Sequence, residues 1–188
     1  MRDSLNTGSG GKIRQRHFLM SLIWGGLMVG LLLSSHITVI AAGQSDLNDE
    51  IPKDIKEYCE VIGKEYNICP ELLEAIAWHE SRFIPEVINK NQKCYGLCQI
   101  NIKVHKDRIE KLGYTSEDML EPYPNIEVAA DLLAELYATY GDDNPIVLSL
   151  YAGEGWDAVE RYKEYGFVTP LVRNLLEISA RYERMHGK

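Results

Sequence analysis

One stretch organises the chain: residues 70–101, which read PELLEAIAWHESRFIPEVINKNQKCYGLCQIN. Its first part predicts a helix that begins at Pro70, because a proline in the first helical position gives up no hydrogen bond. Glu71 adds a negative charge to the first turn, where it complements the helix dipole. We therefore expect a helix that carries the chain from Pro70 to Glu80.

Glu80 lies on an apolar stripe of this predicted helix. The other members of the stripe recur at helical spacing and are Leu73, Ile76, Ala77, Phe83 and Ile84. Apolar surroundings disfavour the charged form of a carboxyl group and raise its pKa. A general acid must still hold its proton near neutral pH when the leaving group departs. The sequence therefore predicts that Glu80 is a catalytic acid.

The segment at 93–101, KCYGLCQIN, carries groups that suit a sugar. Gly96 permits a close approach of the backbone. Gln99 and Asn101 offer paired amide donors and acceptors, which match the amide of an amino sugar. This segment is therefore a candidate wall of a saccharide cleft beside Glu80.

Four blocks of sequence resemble, in order and spacing, the lytic transglycosylase domain of the soluble-type murein transglycosylases. The blocks are ESRF at 80–83, GLCQI at 96–100, NI at 125–126 and YAGEG at 151–155. This family, the SLT or glycoside hydrolase family 23-like domain, shares its fold with goose-type lysozyme. The resemblance covers about residues 55–182 and implies a mostly α, lysozyme-like single domain.

The resemblance also implies roles for individual residues. Glu80 matches the family's single catalytic acid, and Ser81 matches a serine that orients this acid or the substrate. The glycine-leucine-x-glutamine block lines the sugar cleft in the family, and its matches here are Gly96, Leu97 and Gln99. Cys98 stands where the family usually has methionine.

Two further positions follow from the weaker blocks. Asn125 has two interpretations, namely the N-cap of its own helix and, by the resemblance, a residue that borders the cleft. The last block departs from the family pattern of alanine-tyrosine-asparagine-alanine-glycine. An ungapped alignment puts Leu150 at the family tyrosine, whereas a one-residue gap puts Tyr151 there; we favour Tyr151 as the cleft residue.

The function implied by the resemblance is cleavage of the β-1,4 bond between N-acetylmuramic acid and N-acetylglucosamine in peptidoglycan, with 1,6-anhydromuramyl ends as products. Two alternatives stay open: a lysozyme-like hydrolase that uses water, and a glycan-binding component that has lost catalysis. The sequence leaves the biological role open among three: work for a secretion or conjugation machine, for a phage, or in growth and division. A monomer is expected.

Composition sets further limits. The 188 residues carry a formal net charge of −8 and suffice for one domain plus a leader. The first 42 residues hold four basic side chains and one acid, which leaves the remainder at −11. A body this acidic has no patch that would neutralise phosphates, so nucleic acid is not expected as a partner.

The first 42 residues predict a basic tail at 1–17 and a membrane-directed segment at 18–42, which contains no Asp, Glu, Lys or Arg. The segment reaches the roughly 20 residues that a spanning helix needs. Its small residues near 41–42 also offer a signal-peptidase site, so anchor and cleaved signal both stay open. In either case the catalytic domain at 43–188 is expected on the extracytoplasmic side, facing the cell wall.

The cysteines lie beyond the leader, at Cys59, Cys69, Cys94 and Cys98. An extracytoplasmic location permits disulfides, and three pairings are open. A structural zinc site is disfavoured because no two cysteines have two-residue spacing. His79 and Glu80 do not form a zinc-protease motif, since Phe83 takes the place of the second histidine. No metal and no cofactor are expected.

Helical spacing predicts the rest of the domain. Further helices are expected from Lys53, from Asn125, from Pro145, at 156–165 and at 170–182. Pro122 and Pro124 are expected to break the chain before Asn125. No strand is predicted.

Overall fold

The computed structural model describes residues 50–188. The predicted tail at 1–17 and the predicted signal or anchor at 18–42 lie outside the described residues. Within residues 50–188, none of the helices combines the length and the apolar character needed to cross a membrane.

The described chain is mostly α, as predicted. Its seven α-helices, numbered α1 to α7 in chain order, are Lys53–Tyr66, Pro70–Ser81, Lys106–Lys111, Pro122–Tyr140, Asn144–Tyr151, Trp156–Tyr165 and Pro170–Met185. A short 3-10 helix, Glu117–Leu120, precedes α4. Four of the helices have a proline in their first two positions, where its missing N–H costs nothing.

Helix α2 lies at the centre of the domain, where it packs against α1, α4 and α7. Every residue from Glu71 to Trp78 is buried, so the helix is covered on all sides. The surrounding helices are amphipathic: α1 buries Ile55, Cys59 and Ile62, which recur at helical spacing. The domain is therefore built around the helix whose last turn carries Glu80.

A small antiparallel sheet corrects the prediction that the chain has no strand. Its strands are β1 (Ile88–Asn89), β2 (Cys94–Tyr95) and β3 (Ile100–Asn101), with β2 in the middle. Tyr95 pairs with Ile88 on one side and with Ile100 on the other. Strands of two residues are too short to show an alternation of apolar and polar side chains, so no local pattern predicts them.

The start of α4 corrects two further predictions. Pro122 and Pro124 do not break the chain but lie in the first turn of α4, where backbone N–H groups have no partner inside the helix. Asn125 is not an N-cap, since it lies within the helix and its own N–H donates to the carbonyl of Glu121 at 3.2 Å. The side chain of Asn125 is therefore free for contacts outside α4.

The end of α2 corrects the predicted stripe. The helix ends at Ser81, so the stripe does not continue in register. Phe83 turns back into the core and is buried, whereas Ile84 is 51% exposed. The apolar surroundings predicted for Glu80 are consequently supplied by other elements.

Candidate active site

A cleft of about 690 Å³ opens where the last turn of α2 meets the small sheet, one face of α4 and the end of α5. Four of the predicted site residues line it: Glu80, Gln99, Asn101 and Tyr151. The other four, Ser81, Gly96, Leu97 and Asn125, are not among its lining residues. The structure thus brings half of the predicted site into one cleft and places the other half behind it.

Glu80 carries the only carboxyl group among the residues that line the cleft in the described chain. It is half-buried on the last turn of α2. Burial raises the pKa of Glu80 above its ordinary value, and the nearby charge of His79 opposes the rise only in part. The raised pKa agrees with the prediction, although the apolar stripe that was expected to cause it does not form, and the catalytic role of Glu80 stays a prediction.

The turn that follows Glu80 is held in an unusual backbone conformation. Arg82 and Phe83 have φ values of 56° and 60°, a region that bulky side chains seldom adopt. The guanidinium of Arg82 stacks on the indole of Trp78 at 3.6 Å and donates to its carbonyl oxygen at 2.6 Å. Buried Phe83 anchors the other side of the turn. These contacts end α2 at Ser81 and hold in place the last turn, which carries Glu80.

Ser81 faces into the protein. Its hydroxyl donates to the carbonyl of Ala77 at 3.0 Å, within α2 itself. The side chain is buried. In this position Ser81 supports the last turn of the helix, and a contact with substrate stays a prediction.

Asn125 fastens the segment at 95–98 to the start of α4. Its Nδ2 donates to the carbonyls of Tyr95 at 2.9 Å and Met119 at 2.8 Å, and its Oδ1 accepts from the backbone N–H of Cys98 at 2.7 Å. Because the side chain is fully buried, each of these bonds satisfies a group that water cannot reach. Asn125 therefore holds the cleft wall in place from the side that faces the core.

Gly96 and Leu97 complete this support. A Cβ on Gly96 would lie 2.0 Å from the carbonyl oxygen of Met119 and 2.3 Å from Nδ2 of Asn125, and the residue has a φ of 77°. Leu97 is fully buried in the core. The glycine is thus required for a close approach, and the groups that it approaches are Met119 of the 3-10 helix and Asn125 of α4.

The two cleft amides also hold the wall together. Nε2 of Gln99 donates to the carbonyls of Gly96 at 2.9 Å and Val87 at 3.2 Å. Asn101 donates to the carbonyl of Gln92 at 2.8 Å, and its Oδ1 accepts from the N–H groups of 103 and 104. Both residues therefore present to the cleft a side chain whose orientation is already set.

Tyr151, the last residue of α5, also lines the cleft. Its hydroxyl donates to the carbonyl of Cys98 at 3.5 Å. Burial raises the pKa of Tyr151, and the charge of Glu80 acts in the same direction. The phenol is accordingly neutral and lies close enough to Glu80 to sense its charge.

Several cleft residues were not identified from the sequence. His105 lines the cleft, and burial, together with the charge of Arg108, lowers the pKa of its imidazole. Leu132 and Leu136 line it from α4. Their four-residue spacing was visible in the sequence, but the face that they share could equally have faced the core.

The four cysteines are unpaired in the structure, so the disulfides that the sequence left open are not formed there. Cys94 and Cys98 line the cleft. Burial raises the pKa of both thiols, which keeps them protonated and poorly nucleophilic. Among residues 50–188, no group of three His, Cys, Asp or Glu side chains is placed to hold a metal ion.

The helical domain and its cleft with a single acid define the class of protein. The profile of the transglycosylase SLT domain matches residues 57–166, more than half of the chain. The chain belongs to this family.

Two kinds of relative show the same likeness. The chain is 40% identical over 105 residues to protein IpgF of Shigella flexneri, an alignment that covers 53% of this chain and 60% of the relative. It is 33% identical over 122 residues to invasion protein IagB of Salmonella typhi, which covers 62% of this chain and 76% of the relative. The chain thus spans about 60% of the length of the IpgF proteins that it matches.

Proposed function

We propose that this protein is a peptidoglycan lytic transglycosylase. It would cleave the β-1,4 bond between N-acetylmuramic acid and N-acetylglucosamine and form 1,6-anhydromuramyl ends, with Glu80 as the single general acid and base. The observation that carries this proposal is that Glu80, whose pKa burial raises, has the only carboxyl group among the residues lining the cleft in the described chain.

A single carboxyl group suits an intramolecular reaction. Most glycosidases need a second carboxylate as nucleophile or base. Here Glu80 would protonate the glycosidic oxygen as the bond from C1 to that oxygen breaks. The C6 hydroxyl of the muramyl residue would then attack C1 and return its proton to Glu80, so that no water is consumed.

The remaining acceleration would come from positioning. A tethered hydroxyl can have an effective concentration of about 10⁵ M or more. The substrate's own N-acetyl group, or the field of the cleft, would stabilise the positive charge that develops at C1. Gln99, Asn101 and Tyr151 are the residues that we expect to hold the sugar in this geometry, because each lines the cleft with a fixed side chain.

Digestion of purified peptidoglycan by the full chain tests the proposal. Wild-type protein should release muropeptides with anhydro ends, which are one water lighter by mass than the reducing ends of a hydrolase. Glu80→Gln should abolish release because the amide cannot donate the proton. The matched control is Glu86→Gln, an exposed acid on the following loop that does not line the cleft.

The other results would each change the assignment. Reducing ends that vanish with Glu80→Gln would make the protein a lysozyme-like muramidase. Binding to glycan without cleavage would make it a binding component. Wild-type activity in the Glu80→Gln variant would refute the role of Glu80.

The proposed substrate places the protein outside the cytoplasm, at the cell wall. One relative is named as an invasion protein. We propose that this chain serves a machine that crosses the envelope, such as a secretion apparatus. We propose that the segment at 18–42 delivers or anchors the domain there.

A further inference from the structure

An apolar row leads out of the cleft along α4. Leu132 and Leu136 line the cleft, and Tyr140 follows four residues later, one turn farther along the same side of the helix. The ring of Tyr140 meets the indole of Trp156 edge to face, with 5.7 Å between centroids and 75° between planes. The row therefore continues from the cleft to Trp156.

Trp156 is a large aromatic side chain that folding leaves accessible. It is 52% exposed at the first position of α6, three residues after Gly153, which lines the cleft. Its contact with Tyr140 limits the motion of the ring, so little entropy would be lost when a ligand covers it. Nζ of Lys163, two turns along α6, lies 6.0 Å from the centroid of the indole.

We infer that Trp156 is a second sugar-binding position, which stacks on a residue of the same glycan strand beyond the cleft. A flat aromatic face matches the apolar face of a pyranose ring, and an exposed apolar patch continuous with a cleft marks an extension of a binding groove. Lys163 places a positive charge beside the ring, which suits the carboxylates of peptide stems. This inference rests on the proposed function for the identity of the ligand.

Tyr165 is another exposed aromatic residue of α6, but it does not adjoin the row that leaves the cleft. Tyr165 is 72% exposed, but it lies at the opposite end of α6, about 14 Å along the helix axis from Trp156. The row of Leu132, Leu136 and Tyr140 makes its ring contact with Trp156, at the start of α6. Tyr165 therefore serves as the matched control for an exposed aromatic residue on the same helix.

The first experiment measures binding without cleavage. Full-length protein carrying Glu80→Gln is sedimented with insoluble peptidoglycan, alone and combined with Trp156→Ala, Trp156→Phe or Tyr165→Ala. Trp156→Ala should weaken binding about fivefold to tenfold, the usual range for one aromatic contact. Trp156→Phe should keep most of the affinity, and Tyr165→Ala should change nothing.

The second experiment measures cleavage against chain length in the protein with Glu80 intact. Binding energy from distant sugars is realised only when the substrate reaches them. Trp156→Ala should therefore lower kcat/KM about tenfold on long strands and leave it unchanged on a tetrasaccharide. Lys163→Ala should reduce binding of strands that carry peptide stems, but not of strands from which an amidase has removed them.

The outcomes separate this inference from the proposed function. Equal loss on long and short substrates, or no loss of binding with Trp156→Ala, would overturn the sugar-binding role of Trp156 even if wild-type protein forms anhydro ends. If wild-type protein cleaves nothing, the proposed function fails. In that event the sedimentation comparison still decides whether Trp156 binds glycan.

Discussion

Two buried acids one turn apart in α2 have opposite pKa shifts. Burial acts to raise the pKa of Glu71, but hydrogen bonds from Lys188, His186 and Cys69 outweigh it and hold the value at about 2. Burial, reinforced by the charge of Glu71, raises the pKa of Glu74 to about 8. Both carboxyl oxygens of Glu74 are buried without a hydrogen bond in the described chain. Glu74 is therefore neutral at pH 7, and Glu71 is charged.

Glu74 should make the domain less stable as the pH rises. The unfolded chain loses this proton near pH 4.5, whereas the folded chain keeps it up to a pH of about 8. Between these values the folded state binds more protons, so the free energy of unfolding falls by up to about 1.4 kcal/mol per pH unit. Glu74→Gln should remove this slope and be more stable than wild type near pH 8, as measured by urea denaturation across the window.

Glu71 does not cancel this effect, because its lowered pKa acts between about 2 and 4.5, where stability is lost as the pH falls. The control is Glu57→Gln, an acid on α1 whose side chain is 61% exposed. That variant should keep the wild-type slope. An unchanged slope in Glu74→Gln would contradict the assignment.

At the scale of elements, the cleft wall depends on how closely the segment at 95–98 approaches the 3-10 helix and the start of α4. Gly96→Ala should lower the free energy of unfolding by more than about 3 kcal/mol, because the new Cβ would overlap the backbone oxygen of Met119 and the buried amide of Asn125. Gly166→Ala has a similar positive φ of 66° with nothing within 4 Å. It should cost only about 1–2 kcal/mol, for backbone strain.

Chemical denaturation of the two glycine variants gives this comparison directly. Since both substitutions strain the backbone, the difference between them measures the overlap at Gly96. Equal losses would mean that the segment can move away from α4 without penalty. That result would remove the argument that Asn125 and Gly96 position the cleft wall.

At the scale of the whole molecule, α2, the sheet, α4 and α5 together desolvate Glu80. If Glu80 is the acid that we propose, activity requires its protonated form, so kcat/KM should fall as the pH rises through the pKa of Glu80. Because burial raises this pKa above 4.5, activity should persist above the ordinary carboxyl range before it is lost. The measurement is a pH profile of anhydro-muropeptide release.

In that pH profile, loss of activity through unfolding of the domain must be distinguished from loss through deprotonation of Glu80. The Glu74→Gln variant supplies the control, since it lacks the main pH-dependent stability change expected in the same window. Its alkaline limb should coincide with that of wild-type protein. A limb at the ordinary carboxyl value would contradict the desolvation of Glu80.

The sequence by itself determined the features that depend on neighbours along the chain. The helices that begin at Lys53, Pro70, Trp156 and Pro170 were readable because apolar spacing and proline at the first turn are local signals. Glu80 could be identified as a candidate because helical spacing and the first of the four blocks shared with the family both single it out. The role of Glu80 in catalysis stays a prediction.

Only the tertiary structure decided which predicted residues reach the cleft. Asn125 and Gly96 are separated by 29 positions, so no local pattern showed that they contact each other rather than a sugar. Only the fold showed that His105 lines the cleft and that Trp156 contacts Tyr140 of α4. Contacts between distant segments depend on how helices pack, and helical periodicity identifies a buried face without identifying what covers it.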